Sequence, residues 1–152
     1  MDTTQDNIVL RHAETDEELR ACFDVMHELR PRLPDASDFL TRVKRMRQAK
    51  GYRLLAVWQL DMPVALAGYE VSENLIHGRF LYVDDLIVTE SQRSSRWGAR
   101  LIEELGATAK RENCRRLVLD TGLDNSLAQR FYFRQGLLAT GLHFGKVITA
   151  AG

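Results

Sequence analysis

Cysteine is scarce: only Cys22 and Cys114 occur, and neither has a second cysteine or a histidine beside it at metal-ligand spacing. That excludes a disulfide framework and gives no reason to expect a bound metal. Lone thiols fit a reducing compartment, so the cytoplasm is the expected location. Three prolines and ten glycines are too few for a flexible linker, and no segment is repetitive or low in complexity. A single domain over residues 1–152 is therefore expected. No run approaches the roughly 20 apolar residues of a membrane-spanning helix. The opening Met1-Asp2-Thr3-Thr4-Gln5-Asp6 is acidic and polar, unlike a secretory signal. An excess of one charge is missing too, because 21 Lys and Arg balance 21 Asp and Glu. A protein that coats nucleic acid needs a basic excess on at least one face, so nucleic acid and membrane are both set aside as partners.

What is present is an ordinary core-forming composition, 45% hydrophobic and 28% charged. Ile8–Arg11 reads as a short strand. Thr15, followed by Glu17 and Glu18, reads as a capped helix start, and Leu19, Cys22, Phe23, Met26 and Leu29 recur at helical spacing up to Pro31. In that stripe Cys22 is a small core residue rather than a nucleophile. A second helix over 37–49 carries Arg42, Lys44, Arg45, Arg47 and Lys50 on a face expected to be solvated. Three strands follow, over 52–58, 64–71 and 80–88, joined by short polar turns as an antiparallel meander. A helix over 98–111, a strand over 117–120, a helix over 125–135 and a strand over 137–144 complete the order βααβββαβαβ. Alternating helices and strands need crossover connections, so the later half implies parallel pairing and a mixed α/β (α+β) sheet covered by helices.

Chemistry concentrates at Leu86 to Leu101. A buried strand ends at Val88, a polar loop follows, and Arg93, Arg96 and Arg100 surround the start of an apolar-periodic helix. Free amides at a helix start and the positive end of its dipole favour an anion, here a phosphate or pyrophosphate; solvated arginines on an ordinary helix are the alternative. Neither Gly-x-x-x-x-Gly-Lys-Ser/Thr nor Gly-x-Gly-x-x-Gly after the first strand is present, which disfavours kinase-like and nicotinamide-dependent readings.

The run Arg93-Ser94-Ser95-Arg96-Trp97-Gly98 resembles the Gln/Arg-x-x-Gly-x-Gly/Ala signature of the GNAT superfamily of acetyl-coenzyme A-dependent N-acyltransferases. Asn125, Ala128, Tyr132 and Gly136 are similar to its Asn-x-x-Ala-x-x-x-Tyr-x-x-x-Gly pattern. One departure is Arg96, which stands where the family usually has its first glycine. The resemblance implies the acyl-CoA N-acyltransferase fold, with a mostly antiparallel sheet of six to seven strands. It also implies that Leu86, Ile87 and Val88 hold the pantetheine arm through main-chain groups. The amides of Arg93, Ser94, Ser95, Arg96, Trp97, Gly98 and Ala99 would hold the pyrophosphate. Asn125, with Ala128 in the same motif, would contact the pantetheine, and Tyr132 would stand near the sulfur as proton donor.

The base is expected at Asp84 or Asp85. Adjacent strand residues face opposite ways, so a regular strand aims only one of them at an acceptor, and a bulge would upset that parity. Glu70 and His77 are weaker candidates, and His143 reads as a strand-end residue. The implied activity is direct transfer from acetyl-coenzyme A, with no metal, to a primary amine of a small molecule or protein. The alternative is a coenzyme A-binding regulatory module of the same fold without turnover. The number of subunits is open, a homodimer included.

Overall fold

In the computed structural model, which describes residues 7–149, Thr15 opens helix α1 (Asp16–Leu29). Its side chain accepts the Glu18 N–H at 3.1 Å, and Glu18 accepts the Thr15 N–H in return. Three carboxylates in the first turn suit the positive end of the dipole. Leu19, Cys22, Val25 and Met26 form the buried stripe. Burial pushes the Cys22 thiol up to about 12, which leaves it a packing group. Helix α2 (Ala36–Lys50) is capped by Asp35 and ends at Gly51, whose φ of 70° is left-handed, and it buries Phe39, Leu40 and Val43.

Strands β1 (Ile8–His12), β2 (Arg53–Gln59), β3 (Met62–Asn74), β4 (Gly78–Val88) and β5 (Arg116–Leu119) form one sheet in that order. All neighbours are antiparallel except β4 and β5. Helices α1 and α2 cover one face, over Leu54, Ala56, Trp58 and Leu66. Helix α3 (Trp97–Arg111) covers the other, with Leu101 and Leu105 fully buried over Val57, Ala65 and Ala67. Coverage on both sides explains why Leu54–Trp58 is apolar throughout instead of alternating. A bidentate pair, Arg53 to Glu112 at 2.7 and 2.8 Å, ties β2 to the end of α3.

These elements form one compact unit ending at Leu119; a second unit begins at Asp120 and contains helix α4 (Ser126–Arg134). Here the sequence expectation needs correction. Among the described residues the sheet has five strands, not six or seven, and residues 137–144 form no strand. Leu138, Leu142 and Phe144 are exposed there. Alternation of apolar residues satisfies the pattern of a strand, but a strand exists only where a neighbour pairs its backbone groups. His143 accordingly ends no strand; its Nδ1 lies 3.3 Å from Asp120 Oδ2. Among the described residues no helix is long and apolar enough to cross a membrane.

Candidate active site

The site begins with an irregularity in pairing. Gly68 pairs with Asp85 and Tyr69 with Val83, so β4 carries one more residue than β3 and Asp84 is the extra one. This bulge removes the strand parity that would separate the two aspartates. Arg30, at the end of α1, and Lys50, at the end of α2, reach both carboxylates on the same face.

Asp85 is engaged on both oxygens. Arg30 Nε donates to Oδ1 at 3.0 Å and the Tyr52 hydroxyl donates to Oδ2 at 2.7 Å. Arg30 also donates to the Asp84 carbonyl at 2.9 Å, clamping the bulge. Burial and the Asp85 charge raise the Tyr52 phenol well above its ordinary value, so it stays a donor. Gly68 makes room for this pair. A Cβ there would overlap the Tyr52 hydroxyl and come within 2.6 Å of Asp85 Oδ2.

Asp84 is different. Its Oδ1 lies 3.4 Å from Lys50 Nζ, which also approaches Glu70 Oε2 at 2.8 Å, while its Oδ2 is buried without a hydrogen-bond partner. Burial and the neighbouring Glu70 carboxyl push the Asp84 carboxyl up to about 7, and the Lys50 ammonium offsets this only in part. The hydrogen bond to Glu70 in turn raises Lys50. The basic face of α2 is thus not simply solvated: Lys50 joins this cluster, Lys44 pairs with Asp16 and Arg47 donates to the Glu14 carbonyl. Their partners are remote in sequence, and no local signal singles out these lysines and arginines. His77 sits in the β3–β4 turn, its ring centroid 5.4 Å from that of Phe80. Among the described residues no three His, Cys, Asp or Glu side chains come together as a metal site.

Beyond the bulge β4 loses one neighbour. Pairing with β5 stops at Val83 and Leu119. The Thr89 N–H donates to the Val64 carbonyl on β3 at 2.9 Å. By antiparallel alternation Ile87 also bonds toward β3, while Leu86 and Val88 turn their N–H and C=O groups to the side β5 has left. The Val88 carbonyl accordingly accepts from Arg93 Nε at 3.4 Å.

One turn of 3-10 helix (Glu90–Gln92) then leads to Arg96, the residue preceding α3. Arg96 has φ −93° and ψ 26°, which any residue adopts, so the loop closes here without a glycine. Helix α3 has no side-chain cap and no acidic residue in its first turn, leaving amides at its start for an anion. Arg100 lies 5.5 Å over the Trp97 ring. Leu86, Ile87, Val88 and the Arg93–Ala99 run are therefore contiguous, between an open strand edge and an uncapped helix.

In the second unit Asn125 caps α4, its side chain accepting the Ala128 N–H at 3.1 Å, and Tyr132 lies on the helix with its ring against Phe131. Burial raises the Tyr132 phenol above its ordinary value. Gly136 follows with φ +87°, which accounts for glycine in that place of the motif.

The profile of the acetyltransferase (GNAT) family matches residues 13–137. The chain is 28% identical to the uncharacterized N-acetyltransferase YhdJ of Bacillus subtilis (strain 168), over 82% of this chain and 87% of that protein. Its fold is similar to a Trypanosoma brucei acetyltransferase (TM-score 0.77, 19% identity, 93% of this chain and 99% of that one). It is also similar to the aminoglycoside N-acetyltransferase AAC(6')-Iy in complex with CoA (TM-score 0.80, 16% identity, 93% and 95%). A third likeness is glucosamine-6-phosphate N-acetyltransferase from Arabidopsis thaliana (TM-score 0.74, 15% identity, 93% and 99%). With the family profile spanning most of its length, the chain belongs to the acetyltransferase (GNAT) family and is an acyltransferase.

Proposed function

We propose that the protein transfers an acetyl group from acetyl-coenzyme A directly to a primary amine. The observation that carries this reading is the end of β4, where a bulged carboxyl, an open strand edge and an uncapped helix start follow one another along the chain. The residues present fit the cofactor. Leu86 and Val88 offer main-chain donors and acceptors suited to the two amides of a pantetheine arm. The N–H groups of Arg93 and Ser95 are taken by the Glu90 and Gln92 carbonyls, so within residues 93–99 it is the amides of Ser94 and Arg96–Ala99, with the guanidinium groups of Arg93 and Arg96, that suit a diphosphate. When bound, acetyl-coenzyme A supplies an acetyl group activated as a thioester.

The acceptor amine needs a base. A lysine-like amine has a pKa of about 10.4 and is protonated at neutral pH. Asp84, with a carboxyl near 7, is substantially ionised there and more basic than an ordinary aspartate, so it is assigned to take that proton. Burial and Glu70 keep it basic, and Asp85, held by Arg30 and Tyr52, fixes the bulge. Tyr132, assigned from its motif, holds a proton at Oη for the departing sulfur, and its burial keeps that proton in place through neutral pH. Asn125 uses its carbonyl oxygen for capping, which leaves the NH₂ to donate to the pantetheine arm. Two structural neighbours, an aminoglycoside N-acetyltransferase and glucosamine-6-phosphate N-acetyltransferase, support an amine acceptor of small size.

The contact of Lys50 with Asp84 favours a second reading, a module that binds coenzyme A without transfer, because the base is already paired. Release of free thiol from acetyl-coenzyme A across a panel of primary amines decides between them. Amine-dependent release is expected; tight binding without release on any amine supports the second reading, and no binding at all rejects both.

A further inference from the structure

We infer that Glu28 of α1 is a positioning residue for the turn between β4 and α3, and that it sets affinity for the diphosphate half of coenzyme A; this rests on the cofactor assignment above. The Glu28 carboxylate makes three contacts with a single short segment. Oε2 accepts the Thr89 hydroxyl at 2.6 Å, Oε1 accepts the Glu90 N–H at 3.0 Å, and Arg93 Nη2 lies 3.8 Å from Oε1. Within the turn, Gln92 N–H donates to the Thr89 carbonyl at 2.9 Å and Ser95 N–H to the Gln92 carbonyl at 3.0 Å; toward the sheet, Thr89 N–H donates to the Val64 carbonyl at 2.9 Å and Gln92 Nε2 to Gln59 Oε1 at 3.5 Å. Internal bonds shape a turn but do not orient it on the fold. The sheet holds the turn at Thr89 and Gln92, and Glu28 holds it from α1 through a charged acceptor on both Thr89 and Glu90.

The charge is otherwise hard to account for. A carboxylate beside an anion site repels phosphate, and an exposed ion pair alone contributes little. Bonds from a backbone N–H and a hydroxyl to a carboxylate are charge-assisted and directional, so they fix the turn's angle to the start of α3. Arg93 neutralises the carboxylate and stays within reach of the Val88 carbonyl at the open edge.

The test uses the full chain as wild type, Glu28→Ala and Glu28→Gln. Calorimetry measures coenzyme A binding, and amide hydrogen exchange measures residues 89–96 without ligand. Glutamine keeps an oxygen for the Glu90 N–H and an NH₂ for the Thr89 hydroxyl. Glu28→Ala is expected to weaken coenzyme A binding about tenfold and to speed exchange in 89–96, with exchange in α1 and α3 unchanged. Glu28→Gln should lie within about twofold of wild type in both readouts. Unchanged affinity in the alanine variant overturns the inference. So does a glutamine variant as weak as alanine, or faster exchange throughout α1, which would mean a general loss of stability. A wild type that binds no coenzyme A overturns the cofactor assignment itself, and this inference falls with it.

Discussion

At the scale of single residues, Asp84 is the group whose surroundings and assigned role bear on each other. Its native pKa of about 7 lies above the ordinary 3.8. Between those values the native state keeps a proton that the unfolded chain has released, so stability falls as pH rises through that window. Asp84→Asn removes this titration and should therefore gain thermal midpoint relative to wild type as pH rises from about 4 to 7. The same substitution should abolish the acidic limb of kcat/KM near neutrality and cost about 10²–10⁴ in rate. Parallel melting curves for the two proteins across that range would contradict the shift. Tyr132→Phe keeps the ring and removes the proton, so kcat should fall by about 10²–10⁴ with little change in cofactor affinity. Full turnover would leave Tyr132 a packed aromatic. Gly68→Ala sets a methyl against the Tyr52 hydroxyl and Asp85, and should destabilise the fold by about 1–3 kcal/mol or more, read by chemical denaturation.

At the scale of elements, the sequence is most informative where the causes are local. Thr15, Glu18 and the Leu19–Met26 spacing specify α1 within one short window, and the structure follows them. The bulge is not local. It depends on the register between β3 and β4, and on a glycine whose reason is a tyrosine sixteen positions earlier and an aspartate seventeen later. Lys50 meets Glu70 and Asp84 for the same kind of reason, which is why a helix-face reading leaves it in solvent. Residues 137–144 show the converse, a strand-like pattern without a paired neighbour among the described residues. Arg96 also belongs to this scale, because the geometry of the α3 start decides what it does. Its φ of −93° means that glycine brings no conformational relief. Arg96→Gly and Arg96→Ala should therefore weaken coenzyme A binding alike, through loss of the guanidinium. A glycine variant that binds more tightly than wild type would show that the side chain obstructs the loop.

At the scale of the whole molecule, zero net charge coexists with a local concentration of arginine. Three guanidinium groups, Arg93, Arg96 and Arg100, lie within eight residues of chain, at the one long helix among the described residues that starts without an acidic first turn or a side-chain cap. Helices α1 and α2 start with carboxylates and capping side chains that satisfy their own amides, so neither competes for an anion. Binding should therefore depend on a small polyanion that fits one helix start, not on a long one that needs an extended basic face. A ligand bound only by the native state stabilises it by mass action, by about 2.7 kcal/mol at a hundredfold excess over Kd. Acetyl-coenzyme A should accordingly raise the thermal midpoint. Adenosine, which lacks the diphosphate, should barely move it, and duplex DNA at matched phosphate concentration should not move it at all. The shift should shrink as salt rises, since exposed guanidinium groups are screened. A midpoint indifferent to millimolar acetyl-coenzyme A would remove the cofactor assignment while leaving the fold, and equal shifts with DNA would mean the arginines recognise phosphate without regard to the pantetheine edge.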